Sequence, residues 1–148
     1  MALTKVTSNV LADDAVTTGK ILDANVTTGK LATSSVTSIK VGTEFTTATV
    51  LTPAATIDVN YTAAQVFTLT PNANTTLNIT NPVIGVTKAI VVTGAGGSYT
   101  VGFTVGGSAG TFNKIAGDYD DTSSIKNFVQ VTCVSATEFW YSISQIAT

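Results

Sequence analysis

From Glu44 onward, apolar and polar residues alternate in short runs cut by turn residues. Alternation with a period of two predicts half-buried strands. Phe45 to Leu51 is the first candidate and stops at Pro53. Thr56 to Tyr61 places Ile57, Val59 and Tyr61 on one face. Val66 to Thr70 ends at Pro71-Asn72, and Thr76 to Thr80 ends at Asn81-Pro82. Lys88 to Thr93 reads as a continuous apolar run, as expected of a strand covered on both faces. Ser98 to Val105, Thr111 to Ile115, Asn127 to Val134 and Glu138 to Ile146 complete the series, the last two as a hairpin around Ser135-Ala136-Thr137. Trp140 and Tyr141 fall on opposite faces of the final strand, so one is expected in the core and the other at a rim or interface. No segment of useful length has helical periodicity. About nine short strands at regular spacing predict an all-β domain over residues 43–148, an antiparallel β-sandwich or jelly roll.

Residues 1–42 follow another rule. Val6, Val16, Val26 and Val36 recur every ten residues, and Leu11, Ile21, Leu31 and Val41 follow each valine by five. Thr7, Thr17, Thr27 and Thr37 keep the same register, and Lys20, Lys30 and Lys40 precede the last three apolar positions. Such a period marks a repeat. Ten residues cannot bury a core within one chain, and this spacing fits neither a sustained helix nor a long alternating strand. The eight apolar positions Val6, Leu11, Val16, Ile21, Val26, Leu31, Val36 and Val41 are therefore expected to form an oligomer or attachment interface. Two arrangements satisfy them: three chains winding about a common axis, or an extended arm laid on a partner. A flexible Thr/Ala linker is the plainer alternative, but a linker has no need to return valine and leucine in register.

Composition narrows the function. Of the 148 residues 44% are hydrophobic and only 11% charged, with a net charge of −2. Globular chains carry roughly 25% charged residues, so much of this surface is expected to be covered by partners. There is no arginine, which argues against a nucleic-acid partner. There is no histidine, so the commonest general base and metal ligand are missing. Cys133 is alone, so no internal disulfide is available, and its alternation with Val129 and Val131 predicts a buried, inert thiol. No apolar run approaches the roughly 18–20 residues of a membrane span. The N-terminus lacks the pattern of a secretory signal, so synthesis in a cytoplasm is expected.

Candidate chemistry is sparse. Gly94-Ala95-Gly96-Gly97-Ser98 follows a strand, as a phosphate loop would. However, no Lys-Ser/Thr closes it and a strand follows, so a hairpin turn is expected. Asp118, Asp120 and Asp121 surround Tyr119 without the spacing of a calcium loop, so an exposed acidic loop is expected unless symmetry brings three copies together. Glu44, Asp58 and Glu138 are scattered and make no recognisable catalytic couple. The Asn-X-Thr triplets at Asn25, Asn60, Asn74 and Asn78 carry little weight without a secretory route. No catalytic residue, metal or cofactor is expected, and the chain does not read as an enzyme.

Asp14-Ala15-Val16-Thr17-Thr18-Gly19-Lys20-Ile21 and Asn25-Val26-Thr27-Thr28-Gly29-Lys30-Leu31 resemble repeats in fibre and head-decoration proteins of tailed bacteriophages. Tyr99-Thr100-Val101-Gly102-Phe103, Phe128-Val129-Gln130-Val131 and Glu138-Phe139-Trp140-Tyr141 are similar to the C-terminal β-domains of such appendages. The resemblance implies a homotrimer on a virion, held by the major capsid protein or by tail proteins, with no catalytic residues to carry over. This chain lacks the long attachment domain and shaft of a tail fibre, which favours a capsid decoration or short head fibre. The alternative is a tail-fibre module that binds a host receptor or glycan through exposed Tyr99, Tyr119 and Trp140. A glycan depolymerase is the least supported reading.

Overall fold

The computed structural model describes Thr17, Thr27, Leu31 and residues 41–146. The chain divides into two units, Met1–Thr37 and Ser38–Thr148. Val6, Leu11, Val16, Ile21, Val26 and Val36 lie outside the described residues, while Leu31 and Val41 are exposed.

The second unit opens with a single helical turn, α1 (Thr43–Thr46), and continues as nine strands: β1 (Ala48–Val50), β2 (Thr56–Asn60), β3 (Val66–Leu69), β4 (Thr75–Thr80), β5 (Thr87–Thr93), β6 (Val101–Val105), β7 (Thr111–Ala116), β8 (Lys126–Cys133) and β9 (Glu138–Ile146). The expected strand from Phe45 to Leu51 is thus split. Thr47 turns the chain, its Oγ1 within hydrogen-bond reach of the carbonyls of Thr43 and Ala63 at 2.7 and 3.1 Å.

The expected antiparallel sandwich or jelly roll is not what forms. The strands build a mixed, largely parallel β-solenoid of about four turns. One face is a six-stranded sheet in the order β1-β3-β5-β8-β9-β7, and the other a three-stranded sheet in the order β2-β4-β6. β1, β3 and β5 run parallel to one another, as do β2, β4 and β6. The chain therefore winds from one sheet to the other and back. The β8–β9 hairpin departs from this pattern, since β8 is antiparallel to both β5 and β9. It enters between β5 and β7, and β7 pairs parallel to β9.

Stacking in register explains the parallel winding. Ile57 pairs with Leu77 and Leu77 with Phe103, while Val59 pairs with Ile79 and Ile79 with Val105. On the facing sheet Phe67, Ile90, Val129 and Ile143 form one cross-strand row. Each coil thus lays its inward residues on those of the previous coil, which continues the apolar interior. At the corners, Asn60 Oδ1 accepts from the backbone and hydroxyl of Thr62 and from Asn81 Nδ2 of the next coil. Asn81 takes the left-handed conformation with φ 49°, which asparagine tolerates better than most residues.

An aromatic cluster fills the end closed by the hairpin. Phe112 stacks on Phe139 with ring centroids 5.0 Å apart and on Phe103 at 5.4 Å, and Tyr141 lies 4.9 Å from Phe103. Tyr61 meets Phe139 edge-on, and its hydroxyl donates to the Val131 carbonyl at 3.0 Å. Tyr141 is thus the inward member of the Trp140–Tyr141 pair, and Trp140 is exposed. Cys133 is fully buried, and burial raises its thiol pKa.

Lys88 departs from the apolar reading of β5. It points inward and is fully buried. Its ammonium donates to the Glu44 carbonyl of α1 and lies 3.4 Å from Gln65 Oε1. The rings of Phe45 and Tyr61 flank it, with centroids 5.3 and 5.9 Å away. Desolvation lowers its pKa, an effect opposed by the Glu44 carboxylate.

Candidate functional site

Two clusters outside the core collect chemistry-bearing side chains. The first surrounds Asp121. Residues 94–100 connect β5 to β6, so this glycine-rich stretch is a corner between the two sheets rather than the expected hairpin turn. Its backbone N–H groups converge on a carboxylate from the 117–125 loop. Asp121 Oδ1 accepts from Ala95 N–H at 3.0 Å and Oδ2 from Tyr99 N–H at 2.8 Å. The Tyr119 hydroxyl donates to Oδ1 at 2.8 Å. Gly96 N–H donates to the Asp121 carbonyl at 2.7 Å, and Gly94 N–H to that of Ile125 at 2.7 Å. Burial works to raise the Asp121 pKa, but the N–H donors of Ala95, Tyr99 and Gly97 and the Tyr119 hydroxyl outweigh it and hold the carboxyl below the ordinary range. The glycine-rich loop does hold an anion, and the anion is the chain's own Asp121.

The other acidic side chains of this loop turn elsewhere. Asp118 pairs with Lys114 across an exposed i,i+4 contact. Asp120 Oδ1 accepts from Thr122 N–H at 2.8 Å, and bonds from the Thr122 side chain and backbone lower its pKa. The Asp120 N–H and carbonyl both bond the buried Asn127 side chain. A cavity of about 440 Å³ opens beside this loop, lined by Gly96, Ser98, Asp120, Asp121, Thr122 and Ser123. Its ionised groups are thus committed to internal partners.

Tyr99 and Tyr119, expected as exposed platforms, are both half-buried. Tyr119 packs against the core, with burial and Asp121 raising its pKa. Asp121 links the two tyrosines through a backbone and a hydroxyl bond.

Trp140 differs. It is 48% exposed on the outer face of β9. Its indole N–H donates to Glu138 Oε1 at 3.0 Å, and the same oxygen accepts from Asn113 Nδ2 at 2.9 Å. β7 and β8 flank β9, which places Asn113 opposite Trp140 on one side and Thr132 on the other, with Thr87 beyond. The Thr87 and Thr132 hydroxyls are 2.7 Å apart. Glu138 precedes Trp140 by two residues on a strand, so their shared face is readable from alternation. Asn113 is not identifiable in that way, because only the β7–β9 pairing brings it there.

The carboxylates of Glu44, Asp58 and Glu138 lie on α1, β2 and β9. Asp58 accepts from Asn78 Nδ2 at 2.7 Å in an outward polar ladder on the three-stranded sheet, and Thr104 donates to Asn78 Oδ1 at 3.2 Å. Among the described residues no helix is long and apolar enough to cross a membrane. Compared with protein-family models, curated proteins and solved structures, the chain shows no match.

Proposed function

We propose that this chain is a virion structural protein, a capsid decoration or short head fibre, with residues 1–42 as its attachment and trimerisation arm and the solenoid as the rigid body it carries. The observation that carries this reading is the decapeptide register of Val16, Ile21, Val26 and Leu31 with their flanking Thr-Thr-Gly-Lys steps. These positions need an apolar cover that ten-residue units cannot supply for themselves. Covering one such side chain contributes about 1.5–3 kcal/mol before ordering costs, and three linked arms multiply the effect through avidity. The solenoid supports the reading differently. Its buried polar groups and the acidic loop have internal partners, as a durable body requires.

The test mixes purified protein with capsids lacking it and measures co-sedimentation, alongside the mass of the free protein in sedimentation equilibrium. The full chain is expected to bind and to sediment as a homotrimer. A variant with Val16, Ile21, Val26 and Leu31 all changed to Ser is expected to lose both properties while keeping the strand signal of the solenoid. Full binding by that variant, or a monomeric full chain at micromolar concentration, overturns the proposal. Density on the tail rather than the capsid in cryo-EM of the particle points instead to a tail-fibre module.

A further inference from the structure

We infer that the outer face of β7–β9 carries a saccharide-binding site built from Trp140, Glu138, Asn113 and Thr132, taking a neutral oligosaccharide.

Trp140 contributes nothing to the solenoid interior. Its partner on the inward face is Tyr141, and the aromatic cluster is complete without the indole. The half-exposed indole presents an apolar ring face to the outside beside a polar N–H. The ring is also not free to turn. Glu138 Oε1 accepts from the indole N–H at 3.0 Å and from Asn113 Nδ2 at 2.9 Å, so three side chains from two paired strands hold one another. Such fixing lowers the ordering cost of binding.

The surroundings decide the ligand class. The cross-strand row through the indole reads Thr87, Thr132, Trp140, Asn113, and the next outward row holds Ser142, Gln130 and Ala89. Among the described residues, Glu138 Oε2 and Asn113 Oδ1 accept no protein hydrogen bond, and no lysine stands in either row. An apolar ring face bordered by hydroxyls, an amide and one carboxylate complements a pyranose. The sugar's C–H face covers the indole, and its hydroxyls donate to Glu138 and Asn113 and accept from Thr132. Lys114, next to Asn113 on β7, is paired with Asp118, and Glu138 repels a phosphate or nucleic-acid ligand. The strands advance by about 4.8 Å across the row, so an extended oligosaccharide crossing them meets a new polar residue at each step.

Trp140 is the sole tryptophan of the chain, so its fluorescence reports on this site alone. The experiment titrates the full-length protein with cellotetraose and with chitotetraose, using glycerol as a polyol control. A saturable change in intensity or emission maximum is expected with at least one tetrasaccharide and not with glycerol. Asn113→Ala is expected to weaken that response about fivefold, the loss of one hydrogen bond, while leaving the melting temperature near that of the parent. Absence of a saturable change with both tetrasaccharides overturns the inference, as does a response shared with glycerol or one unaltered in Asn113→Ala. A spectral change that follows protein concentration alone, with a matching rise in sedimenting mass, assigns the face to contact between copies and likewise overturns it.

Discussion

Asp121 Oδ2 accepts a hydrogen bond from the Tyr99 backbone N–H at 2.8 Å, across a gap of 22 residues in sequence. This bond, with those from Ala95 and the Tyr119 hydroxyl to the other oxygen, ties the β5–β6 corner to the loop before β8. Gly94 makes the approach feasible, because a Cβ there would collide with the Thr122 carbonyl. The carboxylate thus does for this corner what a bound anion does for a phosphate loop, with no ordering of an external ligand.

Asp121→Asn keeps the shape of the side chain and removes its charge, while turning an NH2 group toward backbone donors. The expected cost is about 2–4 kcal/mol, from weakened charge-assisted bonds and one unsatisfied donor. The folded pKa lies below the ordinary value of 3.8. Its contribution is therefore fully present above the unfolded pKa and is lost as pH falls through the folded one. Urea unfolding of both proteins at neutral pH and near pH 3 checks this. The gap between them is expected to narrow at the lower pH, and a gap independent of pH contradicts the assignment.

Lys88 is a buried ammonium whose direct polar partners are the Glu44 carbonyl and Gln65 Oε1. Replacing an ion in such a place by an apolar residue of similar length is commonly neutral or stabilising by about 1–4 kcal/mol. Lys88→Met is expected to fall in that range at neutral pH, whereas Lys88→Ala leaves a void. The folded pKa is below the ordinary 10.5, so between the two values the unfolded chain binds more protons. The lysine's penalty shrinks as pH climbs through that window, and the advantage of Lys88→Met shrinks with it. Hydrogen exchange supplies a second readout. The Phe45 and Thr47 amides, bonded to the Gly42 and Thr43 carbonyls, are expected to exchange faster once α1 loses its tie to Lys88.

Phe139 is fully buried beneath Tyr61 and Phe112 and anchors the inserted hairpin. Phe139→Ala is expected to cost about 3–5 kcal/mol. Phe139→Leu, which retains more of the volume, is expected to cost less. Thermal unfolding followed by near-ultraviolet circular dichroism measures both, since the tyrosines of this cluster carry much of that signal. Equal stability of Phe139→Ala and the parent contradicts the packing described.

The strands themselves are legible in the sequence. Ile57 and Val59 alternate inward as expected, β9 spans Glu138–Ile146 as expected, and Cys133 lies in the core. Alternation records which side of a strand meets the interior, and proline and asparagine record where it stops. Neither records which strand lies next to it. A run such as Thr56–Asn60 followed by a turn reads the same whether the chain folds back beside itself or rounds a corner onto a second sheet. Hence the antiparallel expectation fails although the elements are in place. The inward charge of Lys88 is hidden for a related reason, since only the meeting of α1, Gln65 and Tyr61 supplies a place for it.

The decapeptide register of residues 6–41 is a property of the sequence alone, as are the low charge and the lack of arginine and histidine. Parallel winding, the occupied cradle at Asp121 and the grouping of Asn113 with Trp140 exist only in three dimensions. Each depends on contacts between residues far apart along the chain, and local alternation carries no information about such distances.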